Sequence, residues 1–415
     1  MSRCRRGRVV AGAATALLLS VLTGACTADQ SADQADGESN DAKGSAAAAG
    51  AEREEPQAKP FAAAVEVPGK RSQVAVDSPV RLWATSGTVQ RVRAFHGKQS
   101  PDSMVRGRMN AAKGTWTLQD TLQPGRTYTV LSTGRNADGE RRTVRSTFGT
   151  DDLSLDEQTY ASVAPLQGET VGVGMPVVVT FDVPVKNRAA IERQMSVSSK
   201  PMVRGSWHWM SATEVHYRPR TYWPSGADVD VDIDIDSVDA GGGIYGQESR
   251  QLSFNVGDRI VSEINLNTYQ MRVKVNGSLA RTIPISGGKP GFETRNGTKV
   301  IMEKFESKRM DAATTGIDRD DPEYYNISNV EYAMRVTYSG EFLHAAPWSV
   351  GSQGGANVSH GCVGMSTDNA AWLFGITNRG DIVQVTGSDR DLEQGNGWTD
   401  WDISWADYVA GSALT

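Results

Sequence analysis

"HAAPWSVGSQGGANVSHGCVGMS", residues 344–366, contains two of the five histidines and one of the three cysteines of this 415-residue chain. His344 stands eighteen residues before Cys362, and His360 stands two before it. A thiol attacks as thiolate, and an unassisted cysteine has a pKa of about 8.5. It therefore needs a base or a positive neighbour to work near neutrality. The glycine-rich segment between the two residues can fold His344 back toward the sulfur. Gly361 lets the backbone approach closely, so that amides near Cys362 can face a developing oxyanion. Ser366 or Thr367 can cap a helix running through "TDNAAWLFGITN", with Asp368 in its first turn. A cysteine just ahead of such a helix gains from its N-terminal dipole. On these residues alone, an inert buried cysteine is an equally good reading.

Outward from this stretch the pattern is mostly β. Toward the C-terminus, "GDIVQVTG" (380–387) reads as a closing strand. Beyond it, Trp398, Trp401 and Trp405 are spaced three and four apart, which aligns them along one side of a helix. A packing anchor is the favoured role, and a carbohydrate-stacking surface is the alternative. Toward the N-terminus, "RIVSEINLNTYQMRVKVNGSLARTIPIS" (259–286) reads as strand, strand, Asn-Gly turn, strand.

Residues 61–257 divide into two all-β modules, 61–150 and 151–257, with Val-, Thr- and aromatic-rich runs broken by turn residues. Both contain Gly-x-Trp, at 114–116 and 205–207, followed by a Pro/Gly turn and an alternating strand. That order suggests a repeated immunoglobulin-like sandwich. "DVDVDIDIDSV" (228–238) places Val229, Val231, Ile233 and Ile235 on one face and aspartates on the other. It lacks the glycine and closing glutamate of a calcium loop, so a solvated acidic strand face is expected.

The first 26 residues have a basic head and a short apolar run, too short for a membrane span, which needs about 20 residues. They read as an export signal. Residues 27–60 hold almost nothing to bury and read as a disordered tether. The chain has 43 basic and 49 acidic residues, and loss of the four leader arginines leaves 39 against 49. An acidic protein is a poor nucleic-acid partner. No nucleotide loop and no zinc-type spacing is present in the sequence, so no cofactor and no metal is expected. "LTGAC" (22–26) resembles a bacterial lipobox, and that resemblance implies acylation of Cys26 and a membrane lipid anchor. Cys4 leaves with the leader, so Cys362 has no disulfide partner.

Taken together, "H…SHGCVGMS", "APWSVG" after the first histidine, "GDIVQV" and "DWDISWADY" resemble the L,D-transpeptidase (YkuD-like) family, over about 61–410. The likeness is to mycobacterial-type members with two immunoglobulin-like modules. It implies a mostly β fold: two immunoglobulin-like sandwich domains, then a β-rich catalytic domain (258–387) with few helices, then a Trp-rich C-terminal extension (388–415). It implies Cys362 as nucleophile, His344 as base, and the carbonyl of Ala345 orienting that imidazole. His360 shapes the site, and the amides of His360, Gly361 and Cys362 form the oxyanion hole. Tyr325, Met310, Trp348, Ser359, Asn357 and Gly364 fall at substrate-contacting positions. Gly364 departs from the family, which has Arg or Asn two residues after the Cys, and this points to altered substrate positioning or acceptor choice. The implied activity is a 3→3 cross-link between peptidoglycan stem peptides through a Cys362 thioester, with release of D-Ala. Carbapenems are implied as inhibitors that acylate Cys362. An L,D-carboxypeptidase or a degenerate wall-binding lipoprotein are the alternatives. The expected location is extracytoplasmic, lipid-anchored to the cell membrane and facing the wall.

Overall fold

The structure is a computed structural model that describes residues 57–415 apart from Lys113. The leader (1–26), the lipidation position Cys26 and nearly all of the tether (27–60) lie outside the described residues.

The first module is a sandwich of two four-stranded sheets. One orders Ala62–Glu66, Arg81–Ser86, Thr115–Leu118 and Gly107–Asn110; the other orders Met104–Val105, Thr88–His96, Thr127–Arg135 and Arg141–Gly149. Their inner faces close on Val65, Leu82, Trp116, Tyr128 and Phe148. In the second module, Ala161–Ala164, Val177–Phe181, Glu214–Pro219 and Gly205–Trp209 form one sheet. Thr170–Val171, Arg250–Val256, Asp228–Ile233 and Met195–Lys200 form the facing one. Asp228–Ile233 behaves as its alternation dictates: Val229, Val231 and Ile233 are buried, and Asp228 and Asp230 face solvent.

The repeat between the two modules is offset from the Gly-x-Trp match. Trp116 lies on an inner strand of its sheet, whereas Trp207 lies on the edge strand Gly205–Trp209. The structural counterpart of Trp116 is Tyr217. A Cβ on Gly107 would fall 2.0 Å from the Trp116 ring, and one on Gly205 would fall 2.5 Å from the Tyr217 ring. In each module a strand glycine opens the space into which a neighbouring strand's aromatic ring packs. Sequence spacing cannot see that cross-strand pairing.

The third module stacks two sheets on a shared apolar core that includes Ile264, Val273, Met334, Leu343, Met365 and Leu373. One sheet orders Ser278–Pro284, Gln270–Val275, Ile260–Asn265, Ile382–Thr386 and Gly297–Val300. Its hairpin turns at Asn276 and Gly277, both with positive φ, as an Asn-Gly turn requires. The other sheet orders Glu303–Asp311, Asn326–Arg335, Phe342–Ala345 and Val363–Met365. Its last two strands are parallel, with His344 opposite Gly364. Cys362 lies just before the second of these strands, two residues from Gly364. The helix spans Thr367–Ile376, and the Ser366 hydroxyl accepts from the Asn369 amide at 3.4 Å.

The C-terminal extension packs against the second module. The three tryptophans are anchors but do not share one helix. Trp401 sits in the 3-10 turn Asp400–Asp402, and Trp405 begins a new helix, Trp405–Ala410, capped by Ser404. Trp401 Nε1 donates to Gly174 O at 2.6 Å, and its ring meets Tyr222 edge-on at 4.5 Å. The Arg218 guanidinium lies over the rings of Trp401, Trp405 and Tyr408. At the centre of this contact, buried His216 bonds Asp400 through Nδ1 at 3.0 Å and Glu214 through Nε2 at 2.9 Å. The Tyr408 hydroxyl donates to Asp400 at 2.8 Å.

Candidate active site

A cavity of about 320 Å³ opens on the four-stranded sheet of the third module. His344, Cys362, His360, Ser359 and Gly364 line it, together with Tyr325, Met310 and Trp348. The sequence therefore located all of its side-chain candidates but one. Asn357, expected to touch substrate, turns inward instead: its Oδ1 accepts from the Gly287 amide at 2.9 Å and its Nδ2 donates to Leu266 O at 3.1 Å. It staples the loop and does not line the cavity.

The His344 ring is buried and stacks beside Trp348 at 5.8 Å. Its Nδ1 lies 2.7 Å from Ala345 O. A carbonyl can only accept, so Nδ1 carries the proton and Nε2 presents a lone pair. Burial lowers the imidazole's pKa below 6.5, partly opposed by the Ala345 carbonyl, which keeps the ring neutral near pH 7.

Cys362 does not have the environment its position suggested. The strand Val363–Met365 separates it from the helix, so the helix dipole does not reach the sulfur directly. The residue is only 7 % exposed, and burial pushes the thiol up to about 12. The thiol donates to Gly340 O at 3.6 Å, and the Phe342 amide bonds the sulfur in return. At rest the proton is thus directed at Gly340, not at His344, although Cys362 and His344 line the same cavity.

His360 is held rather than free. Its Nε2 lies 2.8 Å from Glu323, and its ring packs on Phe292 and Tyr325. Glu323 also bonds Lys289. Burial first, and then the nearby Cys362, push the Tyr325 phenol up to about 12, so it stays protonated. Gly361 has φ +114°, a conformation that favours glycine, and its amide donates to Ser359 Oγ at 3.1 Å. That amide is committed to Ser359 and is not free for a substrate oxygen. Ser359 Oγ in turn donates to Cys362 O at 2.6 Å.

Sequence reasoning missed the supports. Ser286 lines the cavity, its hydroxyl donates to Ala356 O at 2.8 Å, and its backbone exchanges amide–carbonyl bonds with Gly364. Buried Thr294 bridges the Gly288 amide at 2.9 Å and Gly361 O at 2.8 Å. The glycine pair in "SGGKPG" (286–291), at a strand end, was the available signal of close backbone approach. Among the described residues, no cluster of His, Cys, Asp or Glu is arranged to hold a metal ion.

Gly364 has a local physical reason. A Cβ there would fall 2.8 Å from the Ala346 Cβ, closer than two side chains pack. Gly364→Ala should cost about 1–3 kcal/mol by overpacking. Urea denaturation reads this, and adding Ala346→Gly should recover most of the loss.

Profiles of known families match two stretches: a bacterial Ig domain over residues 71–239, and the L,D-transpeptidase catalytic domain over 259–385. L,D-transpeptidase 2 of Mycobacterium tuberculosis is 35 % identical over 341 residues, which covers 82 % of this chain and 82 % of the relative. L,D-transpeptidase 5 of the same species is 32 % identical, covering 81 % of this chain and 74 % of the relative. A solved LD transpeptidase in complex with imipenem is 39 % identical over 55 % of this chain and 98 % of its own, with a TM-score of 0.48. With a relative this similar matched over four-fifths of both chains, and the catalytic-domain profile covering the very module that holds Cys362 and His344, this protein belongs to the L,D-transpeptidase family.

Proposed function

We propose that the enzyme joins peptidoglycan stem peptides by 3→3 cross-links through an acyl-enzyme on Cys362. The observation that carries this is a thiol and an imidazole lining one cavity beside a parallel strand pair, with Nε2 of that imidazole free to take a proton.

His344 Nε2 accepts the thiol proton as the sulfur attacks the carbonyl of the third residue of a tetrapeptide stem. The amides of His360 and Cys362 receive the negative oxygen. The C–N bond to D-Ala then breaks, and the imidazolium returns its proton to the departing amine. A side-chain amine of a second stem attacks the thioester, loses a proton to His344, and expels the thiolate. Tyr325, Met310 and Trp348 line the space that the stem occupies. No Asp, Glu, Lys or Arg lines the cavity, so an amine acceptor meets no carboxylate, ammonium or guanidinium there. A strained β-lactam carbonyl meets the same sulfur, and carbapenems are the expected covalent inhibitors.

The location proposed is extracytoplasmic, with Cys26 carrying a lipid anchor and the two sandwiches raising the catalytic module toward the wall. The leader's basic head, apolar run and "LTGAC" support it. Incubation with a tetrapeptide stem should yield a dimer that has lost D-Ala, and intact-mass measurement after a carbapenem should show one adduct. Tripeptide without dimer would favour hydrolysis, and no adduct would favour a degenerate site.

A further inference from the structure

Behind the nucleophile, the turn Gly340–Glu341–Phe342 grips the sulfur from two sides, through the Gly340 carbonyl and the Phe342 amide. The side chain between them, Glu341, is buried and ionically saturated. Its Oε1 accepts from the Arg295 amide at 3.0 Å and from Arg295 Nη1 at 2.9 Å, and its Oε2 accepts from Lys299 Nζ at 2.5 Å. Lys299 is 1 % exposed. The carboxylate also lies against Gly361: a Cβ there would be 3.9 Å from Glu341 Oε1. Arg295 continues outward to Glu393 in the C-terminal extension, and Thr294 beside it ties Gly361 O. Two cations and a carboxylate buried together are costly unless each is paired. Their position directly under the reacting cysteine gives that cost a use.

We infer that Glu341 is a positioning residue: clamped by Arg295 and Lys299, it fixes the turn that holds the Cys362 sulfur, and Lys299 offsets charge as the sulfur ionises. The charged and titratable groups around the sulfur come from several elements. His344 lies on the strand Phe342–Ala345, Arg335 at the end of the neighbouring strand and Tyr325 just before its start, Lys299 on the facing sheet, His360 on the nucleophile's loop, and Glu341 with Arg295 behind it. Of these, Glu341 opposes ionisation of the thiol, while Lys299 and Arg335 favour it. The inference rests on the reading of Cys362 as the nucleophile.

The test is a comparison of signs. In the full chain, iodoacetamide alkylation of the Cys362 peptide is followed by mass spectrometry at pH 8. Glu341→Gln removes the stronger, opposing charge behind the sulfur, so alkylation should speed even as buried Lys299 sheds its proton; Lys299→Met should slow it. A thiol pKa change of one unit is read as about a threefold rate change, because a less basic thiolate is also less nucleophilic. Lys299→Arg, which keeps the charge, should restore the wild-type rate. A merely structural role would loosen the site in both variants and speed both. Should Glu341→Gln fail to fold, the Lys299 pair decides alone: slowing with Met and rescue with Arg support the inference, and any other result overturns it. Turnover by Cys362→Ala separates the two readings. Loss of turnover with no opposed shift defeats only the role of Glu341, whereas retained turnover defeats the nucleophile itself.

Discussion

Replacing His344 with alanine should lower turnover by about 10²–10⁴-fold while the protein stays folded, and replacing Cys362 with alanine should abolish both turnover and the carbapenem adduct. The reason is the thiol's burial. With the sulfur pushed up to about 12, almost no thiolate is present at pH 7. Spontaneous ionisation cannot feed the reaction, so the proton must pass to a base as attack begins. His344 Nε2 is the group placed to take it, since Nδ1 is held by Ala345 O. The pH profile follows from the same geometry. Because burial depresses the imidazole, the acid limb of kcat/KM should fall below pH 6.5 in the wild type. Steady-state kinetics of dimer formation across pH 4.5–8, with circular dichroism as the folding control, measures both effects. An acid limb above 6.5, or a His344→Ala enzyme as fast as wild type, would refute the assignment.

The second large effect is on stability. Asp400→Ala should lower the unfolding free energy by about 3–5 kcal/mol, because it strips a fully buried histidine of its counter-charge and the Tyr408 hydroxyl of its acceptor. Burial by itself would hold His216 neutral, but Asp400 and Glu214 outweigh it and raise the imidazole to about 9. A group whose pKa rises on folding contributes fully below its unfolded value of 6.5. That contribution is lost as pH climbs through about 9, and for a shift of this size it is worth about 3 kcal/mol. Asp400 is depressed by the same pairing, so its share is lost only as pH falls below 3.8. The share of the urea midpoint that depends on this pair, read as the difference between wild type and Asp400→Ala, should therefore hold between about pH 4 and 6.5 and decline toward 9. The variant should decline less steeply than wild type over that upper range, and an equally steep decline in both would show that some other group governs it.

The candidate site was legible where chemistry and local spacing coincide. Cys362, His344 and His360 lie in one short stretch, and few residue types can do such work. The β architecture was legible from alternation, most clearly at Asp228–Ile233, where every second side chain is apolar and buried. What could not be read depends on partners distant in the chain. Glu341 looks like any surface glutamate until the fold brings Arg295 and Lys299 to it from 46 and 42 residues away. Gly361 was read as a donor to substrate because its own partner, the Ser359 hydroxyl, is a matter of side-chain orientation. The three tryptophans fit one helical face by counting, but Ser404 starts a fresh helix between the second and the third.

The thiol's hydrogen bond to Gly340 also bears on how the protein ages. Peroxides and low-molecular-weight disulfides attack thiolates, and susceptibility follows thiolate character and exposure. A sulfur kept protonated and covered until a stem peptide arrives presents little of either. The enzyme can thus keep this sulfur reduced although no other cysteine lies among the described residues to pair with it.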